Sequence, residues 1–517
     1  MKADPLSRRH FIAAGVGAAA GMGLVRGALL APGASAVSMG GAGVSSAGSG
    51  SASDDPARLS LRSASDRIRR GALSPVELTQ ACLERIERLN PSLNAFITVT
   101  ADVALATARE REAEQRAGKW RGPLHGIPIA LKDNIDTAGT RTTGASALYA
   151  DRVPAEDAEV VRRLKQAGAI LVGKTNLQEF AYGTTCTVSA FGPVHNPWAP
   201  DRIAGGSSGG SAVAVGADLC LAALGTDTAG SVRIPASFCG VVGLKPTYGR
   251  VSNRGVIPLS WTHDHVGPIT KTVEDAALLL HAIAGYDAAD PTTRDAPVDD
   301  YARALDGRGP GARVSKPRLG IPRAPFFDEL DDEVEQAVAV AMHEIRPLVA
   351  QTADVALPPA GFRSSGLYVR VRGPEAYAFH ARTVQDSPEK YQEATRAALL
   401  KFADTKADDY ARARREVDLL RREIFDTFTN VDLLATPTMP VPPILIADSN
   451  RENPVDWRNT GPFSTYGLPA ISIPCGRTSS GLPIGLQIVS GPFGESRLLA
   501  FALACERLIG WRGLALP

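Results

Sequence analysis

Gly205-Gly206-Ser207-Ser208-Gly209-Gly210-Ser211 runs into Ala212-Val213-Ala214-Val215, then into the apolar stretch Leu219 to Leu224, then into Gly225-Thr226-Asp227-Thr228-Ala229-Gly230-Ser231-Val232-Arg233-Ile234-Pro235-Ala236. A Gly/Ser heptad alone is usually a tether, as residues 40–53 are. This one leads into a helix-forming run and a buried strand, so it is a rigid turn. The same strand-and-helix alternation extends outward. Ile127 to Leu131 is a short apolar strand, and Asp157 to Ala167 is a helical pattern stopped by Gly168. Ala169 to Gly173 follows as a buried strand, and Thr272-Val273-Glu274-Asp275 opens a helix to about Ala284. Ser74-Pro75-Val76-Glu77 caps a helix running to about Leu89. Residues 330–430 are mostly helical. Val431 to Pro437, Ala470 to Pro474 and Pro483 to Val489 are strands, before a last helix over about Ser496 to Leu508. The expectation is an α/β fold: one large domain whose mixed, mostly parallel sheet carries helices on both faces.

Composition agrees with a globular enzyme-sized chain. Of 517 residues, 44% are hydrophobic and 21% charged, which excludes a disordered chain, a coiled coil and a polytopic membrane protein. Net charge is +1, so no basic field exists to bind nucleic acid. The N-terminus reads as an address. Ser7-Arg8-Arg9-His10-Phe11 precedes a weakly apolar run to Val25, and Ala34-Ser35-Ala36 offers a cleavage site. That run is too short for the ~20 residues of a spanning helix. Residues 1–36 therefore read as a signal peptide of twin-arginine type. Residues 37–55 read as a Gly/Ser-rich linker and 56–517 as the folded domain. The implied location is periplasmic or secreted, with the twin-arginine export machinery as partner and no stable membrane insertion of the mature chain. Cys82, Cys186, Cys220, Cys239, Cys475 and Cys505 form no C-x-x-C pair and read as buried hydrophobes.

Ser231 lies past a strand in a turn holding Ala229 and Gly230. Such a turn exposes a hydroxyl while successive N–H groups converge on one point, the arrangement that stabilises a tetrahedral oxyanion. A serine hydroxyl needs a base. The chain has eight histidines, none with a local signature of that role, and G-x-S-x-G is absent around Ser231. The Gly/Ser loop also suits an anion, but its spacing is not that of a P-loop and no lysine follows. His263 and His265 are one residue apart, yet no third ligand is signalled.

The 32 residues from Gly205 to Ala236 resemble the amidase signature motif in spacing as well as composition. The likeness extends to Leu124–Asn134, to Gly173-Lys174-Thr175-Asn176, to Gly243–Arg250 and to two C-terminal stretches, Gly467–Ala470 and Gly481–Gln487. It covers roughly residues 60–510 and implies the amidase signature fold with a Ser-cisSer-Lys triad. By that resemblance Ser231 is the nucleophile, Ser207 the bridging serine after a cis peptide from Gly206, and Lys132 the base. The resemblance also implies an oxyanion hole from the N–H groups of Thr228, Ala229, Gly230 and Ser231. Ser208 supports the loop, and Asp227 with Arg233 reads as an ion pair clamping the nucleophile turn. Lys174 and Lys245 read as structural.

A lysine with an ordinary pKa of ~10.4 is a poor base at neutral pH. Burial away from anions lowers that value. Asp133 is adjacent, but strand alternation points it to the other face. The implied activity is hydrolysis of a linear carboxamide to a carboxylic acid plus ammonia or amine, through a Ser231 acyl-enzyme, without cofactor or metal. Two alternatives stand beside it: the glutaminase-type subunit of a tRNA-dependent amidotransferase, and a catalytically silent periplasmic binding protein on the same fold. The pocket is expected near Tyr182, Phe191, Trp261, Tyr368 to Phe379, and Pro437 to Pro443.

Overall fold

A computed structural model describes residues 55–305, 316–359, 366–450 and 456–514. The expected signal peptide and all of the linker but Asp55 lie outside the described residues. Asp55 itself belongs to the fold: its carboxylate accepts from Ala57 N and from Arg85 Nη1, both at 3.0 Å.

Among the described residues, eleven strands make one sheet. They are β1 Phe96–Val99, β2 Pro128–Lys132, β3 Ile170–Thr175, β4 Ala222–Asp227, β5 Val242–Lys245, β6 His265–Thr270, β7 Arg318–Ile321, β8 Gln351–Asp354, β9 Leu433–Pro437, β10 Ala470–Arg477 and β11 Pro483–Ser490. Their order across the sheet is β1-β3-β2-β4-β6-β5-β10-β11-β9-β7-β8. The sheet is mixed, but the expected parallel majority does not hold. Parallel pairing is confined to β3-β2-β4 and to β8-β7-β9. The other six neighbouring pairs are antiparallel. The reason lies in the connections. Helix Glu159–Gln166 connects β2 to its neighbour β3, and helix Gly209–Gly216 connects β3 to β4 on the other side of β2; these are the units the sequence displays. The later strands pair through hairpins such as β10-β11, turned at Gly481.

Period-2 alternation explains why both faces carry helices. Ile129 and Leu131 of β2 pack with Leu279, Leu280 and Leu498 in one core. Ala130 of β2 and Ala223 of β4 face the other way, against Val213 and Ala214 of helix Gly209–Gly216. A fully buried leucine or isoleucine contributes about 1.5–3 kcal/mol. A residue two positions after Ala130 on β2 points at that same helix. That residue is Lys132.

Helix Pro75–Leu93 begins as expected, with Ser74 Oγ accepting from Val76 N at 3.0 Å. It runs one turn past Leu89, through Pro91, until Asn94 turns left-handed. All six cysteines are buried free thiols.

Candidate active site

Lys132 closes β2 with its side chain wholly buried. Its Nζ donates to Ser207 Oγ and to Thr226 Oγ1, both at 2.7 Å. Thr226 belongs to β4, next to β2, and its hydroxyl also accepts from Asn134 Nδ2 at 3.2 Å. No carboxylate forms an ion pair with Lys132 among the described residues. Burial therefore dominates and pushes its pKa down to about 7. Asp133 does turn away: it lies 3.5 Å from Lys174 Nζ, in a separate buried pair.

Ser207 sits just before helix Gly209–Gly216, and the Gly206–Ser207 peptide is cis. The loop fits because it is made of small residues. A Cβ on Gly210 would lie 2.4 Å from Asn176 O and 2.5 Å from Ala95 O, so two backbone segments touch the helix directly there. Ser208 fastens the loop to β4: its Oγ donates to Thr226 O at 3.1 Å and accepts from Thr226 N at 3.2 Å. Ser208 N also donates to Ser231 O at 3.1 Å, which joins the loop to the turn after β4.

That turn is held from beneath. Asp227 and Arg233 are both wholly buried, and Arg233 forks onto the carboxylate with two contacts of 2.9 Å. Burial alone would push the Asp227 carboxyl up, but Arg233 overrides it and holds the group well below the usual carboxylate range. The remaining Arg233 donors reach Thr460 O, Gln487 Oε1 and Ser464 Oγ. Thr228 Oγ1 donates to Asp264 at 2.6 Å, and Thr460 Oγ1 donates to Ala229 O at 2.6 Å. Gly230 has φ +133°, and a Cβ there would lie 2.2 Å from Thr460 Oγ1.

One of the four N–H groups expected at the oxyanion has an internal partner. The Gly230 N–H is committed to Asp227 Oδ1 at 2.7 Å. A turn sharp enough to expose Ser231 brings the carboxylate under Gly230, which satisfies that donor internally. The N–H groups of Thr228, Ala229 and Ser231 make no hydrogen bond within the described residues.

A cavity of about 490 Å³ opens over this turn, walled by Thr228, Ala229 and Ser231 on one side. Tyr182 and Tyr368 line it as expected, as does Arg372. Phe191, Trp261, Phe379 and the Pro437–Pro443 stretch are not among its described lining residues. Trp457, Phe402, Leu259 and Gln178 take their place. No local pattern marks Trp457, which follows a segment outside the described residues. Asp264 is likewise unmarked by any local pattern in the sequence. In the fold it accepts from Leu259 N and Ser260 N as well as Thr228, and burial pushes its pKa up to about 6.

The Amidase family model matches residues 77–499. The chain belongs to this family. It is an amide-bond hydrolase by that membership. It is 38% identical over 480 residues to the A chain of a Glutamyl-tRNA(Gln) amidotransferase from Geobacter metallireducens, covering 88% of this chain and 98% of that one. Among solved structures, native peptide amidase from Stenotrophomonas maltophilia superposes with a TM-score of 0.78 at 33% identity, covering 88% and 98% of the two chains. The corresponding Glutamyl-tRNA(Gln) amidotransferase polypeptide from Thermotoga maritima gives 0.73 at 33%, covering 88% and 95%.

In this amidase-family chain the other buried lysines have internal partners. Lys174 Nζ donates to Ile135 O and Thr142 Oγ1. Lys245 Nζ donates to Pro246 O at 3.0 Å and lies 3.3 Å from His265 Nε2. His263 sits beside Ser260 and Tyr368, and His265 meets Asp227 O. Neither histidine is among the described cavity walls.

Proposed function

We propose that this chain hydrolyses a linear carboxamide through an acyl-enzyme on Ser231, with Lys132 as base and Ser207 as proton bridge. The observation that carries the reading is the wholly buried Lys132 amine, 2.7 Å from Ser207 Oγ with no anion paired to it among the described residues. A neutral amine there accepts the Ser207 proton as Ser207 accepts that of Ser231. The Ser231 oxygen attacks the carbonyl carbon. The three uncommitted N–H groups of Thr228, Ala229 and Ser231 face the developing oxyanion. The Lys132 ammonium returns its proton through Ser207 to the leaving nitrogen, and the C–N bond breaks. An amide needs this acid step more than an ester does, because its leaving group is the stronger base. Water then deacylates Ser231 by the same relay and releases the carboxylic acid. Asp227 and Arg233 hold the turn, and Gly206 and Ser208 the loop. No metal or organic cofactor has a role in these steps.

A fluorophosphonate probe tests the assignment. One adduct mapping to Ser231 is the expected result. An unlabelled Ser231 in folded protein would favour the silent binding protein.

A second reading has a specific support: curated relatives named for Glutamyl-tRNA(Gln) amidotransferase match over nearly their whole length. On that reading the same relay cleaves glutamine and the ammonia passes to partner subunits. Glutamine hydrolysis confined to a complex with such partners would establish it.

We further propose export, which opposes that second reading because tRNA charging is cytoplasmic. Its support is Arg8-Arg9 before the apolar run. Changing Arg8 and Arg9 to lysine should retain the protein in the cytoplasm. Unchanged export by the twin-arginine route would overturn this assignment.

A further inference from the structure

Arginines buried in this molecule have partners that use their N–H groups. Arg233 holds Asp227, Arg85 holds Asp55, and Arg111 holds Glu114. Arg421 donates instead to the carbonyls of Thr465 and Thr262. On helix Leu367–Asp386, Arg370 pairs with Glu416 at 2.8 Å. Two residues on, Arg372 is half-buried and differs from them. It lines the cavity that contains Ser231, and no ion pair or hydrogen bond engages it among the described residues. Its Nε is buried without a partner, as are those of Arg85, Arg111 and Arg250, but unlike them no other N–H of its guanidinium is engaged among the described residues.

The guanidinium is nonetheless held in place. Its carbon lies 4.3 Å from the Tyr182 ring centre and 5.5 Å from that of Tyr368. Tyr182 is itself anchored, its hydroxyl donating to Ala398 O at 3.3 Å. Stacking on aromatic faces satisfies the plane of a guanidinium and leaves its N–H edge unused. That edge is a planar fork matched to a carboxylate. Among the described residues that line the cavity there is none: they include two cations, Arg372 and Lys401, and no Asp or Glu. A preorganised cation facing a walled space without a counter-ion is a site for an anion brought by the ligand.

We infer that the substrate is an amide bearing a carboxylate, and that Arg372 binds that carboxylate while Ser231 meets the amide carbon. The inference rests on the acyl-transfer reading and deepens it. Arg372 is a binding residue, and Lys401 adds a second, exposed positive charge at the same wall.

The experiment uses the full chain and two matched pairs of amides. Glutaramate against pentanamide places the carboxylate on the acyl side. N-butanoylglycine against N-propylbutanamide places it on the amine side. Protection of Ser231 from a neutral fluorophosphonate is read for each, so an amide that binds without turning over still counts. The anionic member of one pair should protect at a concentration about 10- to 100-fold lower, the worth of a charge-assisted hydrogen bond. The pair that shows it identifies the side. Arg372→Gln should abolish the difference, and Arg372→Glu should invert it. Loss of general packing would weaken both members of a pair equally and leave their ratio standing. Equal protection within both pairs in the wild-type protein overturns the inference, as does a difference that survives Arg372→Gln. Failure of the probe to label Ser231 at all is distinguishable: it removes the acyl-transfer reading, and this inference with it.

Discussion

Ser231→Ala is expected to lower kcat by a factor on the order of 10⁴ or more while leaving the thermal midpoint almost unchanged. The two halves of that expectation have different causes. On the proposed mechanism the hydroxyl forms the bond to carbon, and the neighbouring Ser207 Oγ is engaged by Lys132. Ser207 lies on the far side of the relay with its oxygen against Lys132. Stability is spared because the turn is fastened by other atoms. Ser231 contributes its backbone carbonyl to Ser208 N, which alanine retains. The clamp itself runs through Asp227, Arg233 and Thr460. Rates measured on the best amide substrate, with scanning calorimetry on the same samples, check both halves. A variant that keeps a tenth of the wild-type rate means that the nucleophile is elsewhere.

The contrast between Ser231 and its supports bears on what a sequence can show. Strands β2 and β3 and the helices around them are legible because each is a short apolar run bounded by a cap or a glycine. Ser74 and Gly168 act locally, so reading them needs no tertiary information. The apolar pattern places β4 three residues early, over Leu219 to Leu224. Thr226 and Asp227 look like loop residues, yet both are buried, because Lys132 and Arg233 supply their partners from other segments. β6 escapes the pattern for a related reason. It contains Gly267-Pro268, and a Cβ on Gly267 would lie 2.2 Å from Leu244 O, so close strand contact has removed the side chain that would show periodicity. The antiparallel middle of the sheet is hidden because its pairings depend on which strands meet. The cavity walls show the same limit. Tyr182 and Tyr368 lie where the sequence points, but Trp457 and Asp264 arrive from distant loops. The motif residues are legible only through a resemblance. Composition alone does not separate Ser207 from Ser208, and in the fold the two do different things: one meets Lys132 and the other ties the loop to β4.

Lys132 carries the second large effect, and its burial fixes the sign. With its pKa pushed down to about 7, the side chain is mostly ammonium below that value and cannot take a proton. kcat/KM should therefore fall about tenfold per pH unit on the acid side and level off above pH ~7 to 8. Asp264, pushed up to about 6, titrates close by. It accepts from Thr228 and two backbone donors and its charge favours the Lys132 ammonium, so Asp264→Asn should lower the rate and move the acid limb to lower pH. Lys132→Met removes the base while keeping the bulk. The expected loss is about 10²- to 10⁴-fold at pH 7, partly regained at high pH as hydroxide takes over the proton transfer. Stability should move the other way. Between about 7 and the ordinary lysine range, the unfolded chain holds a proton that the folded chain has released, so wild-type stability rises with pH across that window. The Met variant lacks this rise and should melt higher than wild type at pH 6 to 7, where the native protein bears a buried charge. A Lys132→Met enzyme with near-normal rates at neutral pH, or a wild-type profile flat from pH 5 to 9, would show that the amine at this position is not the base.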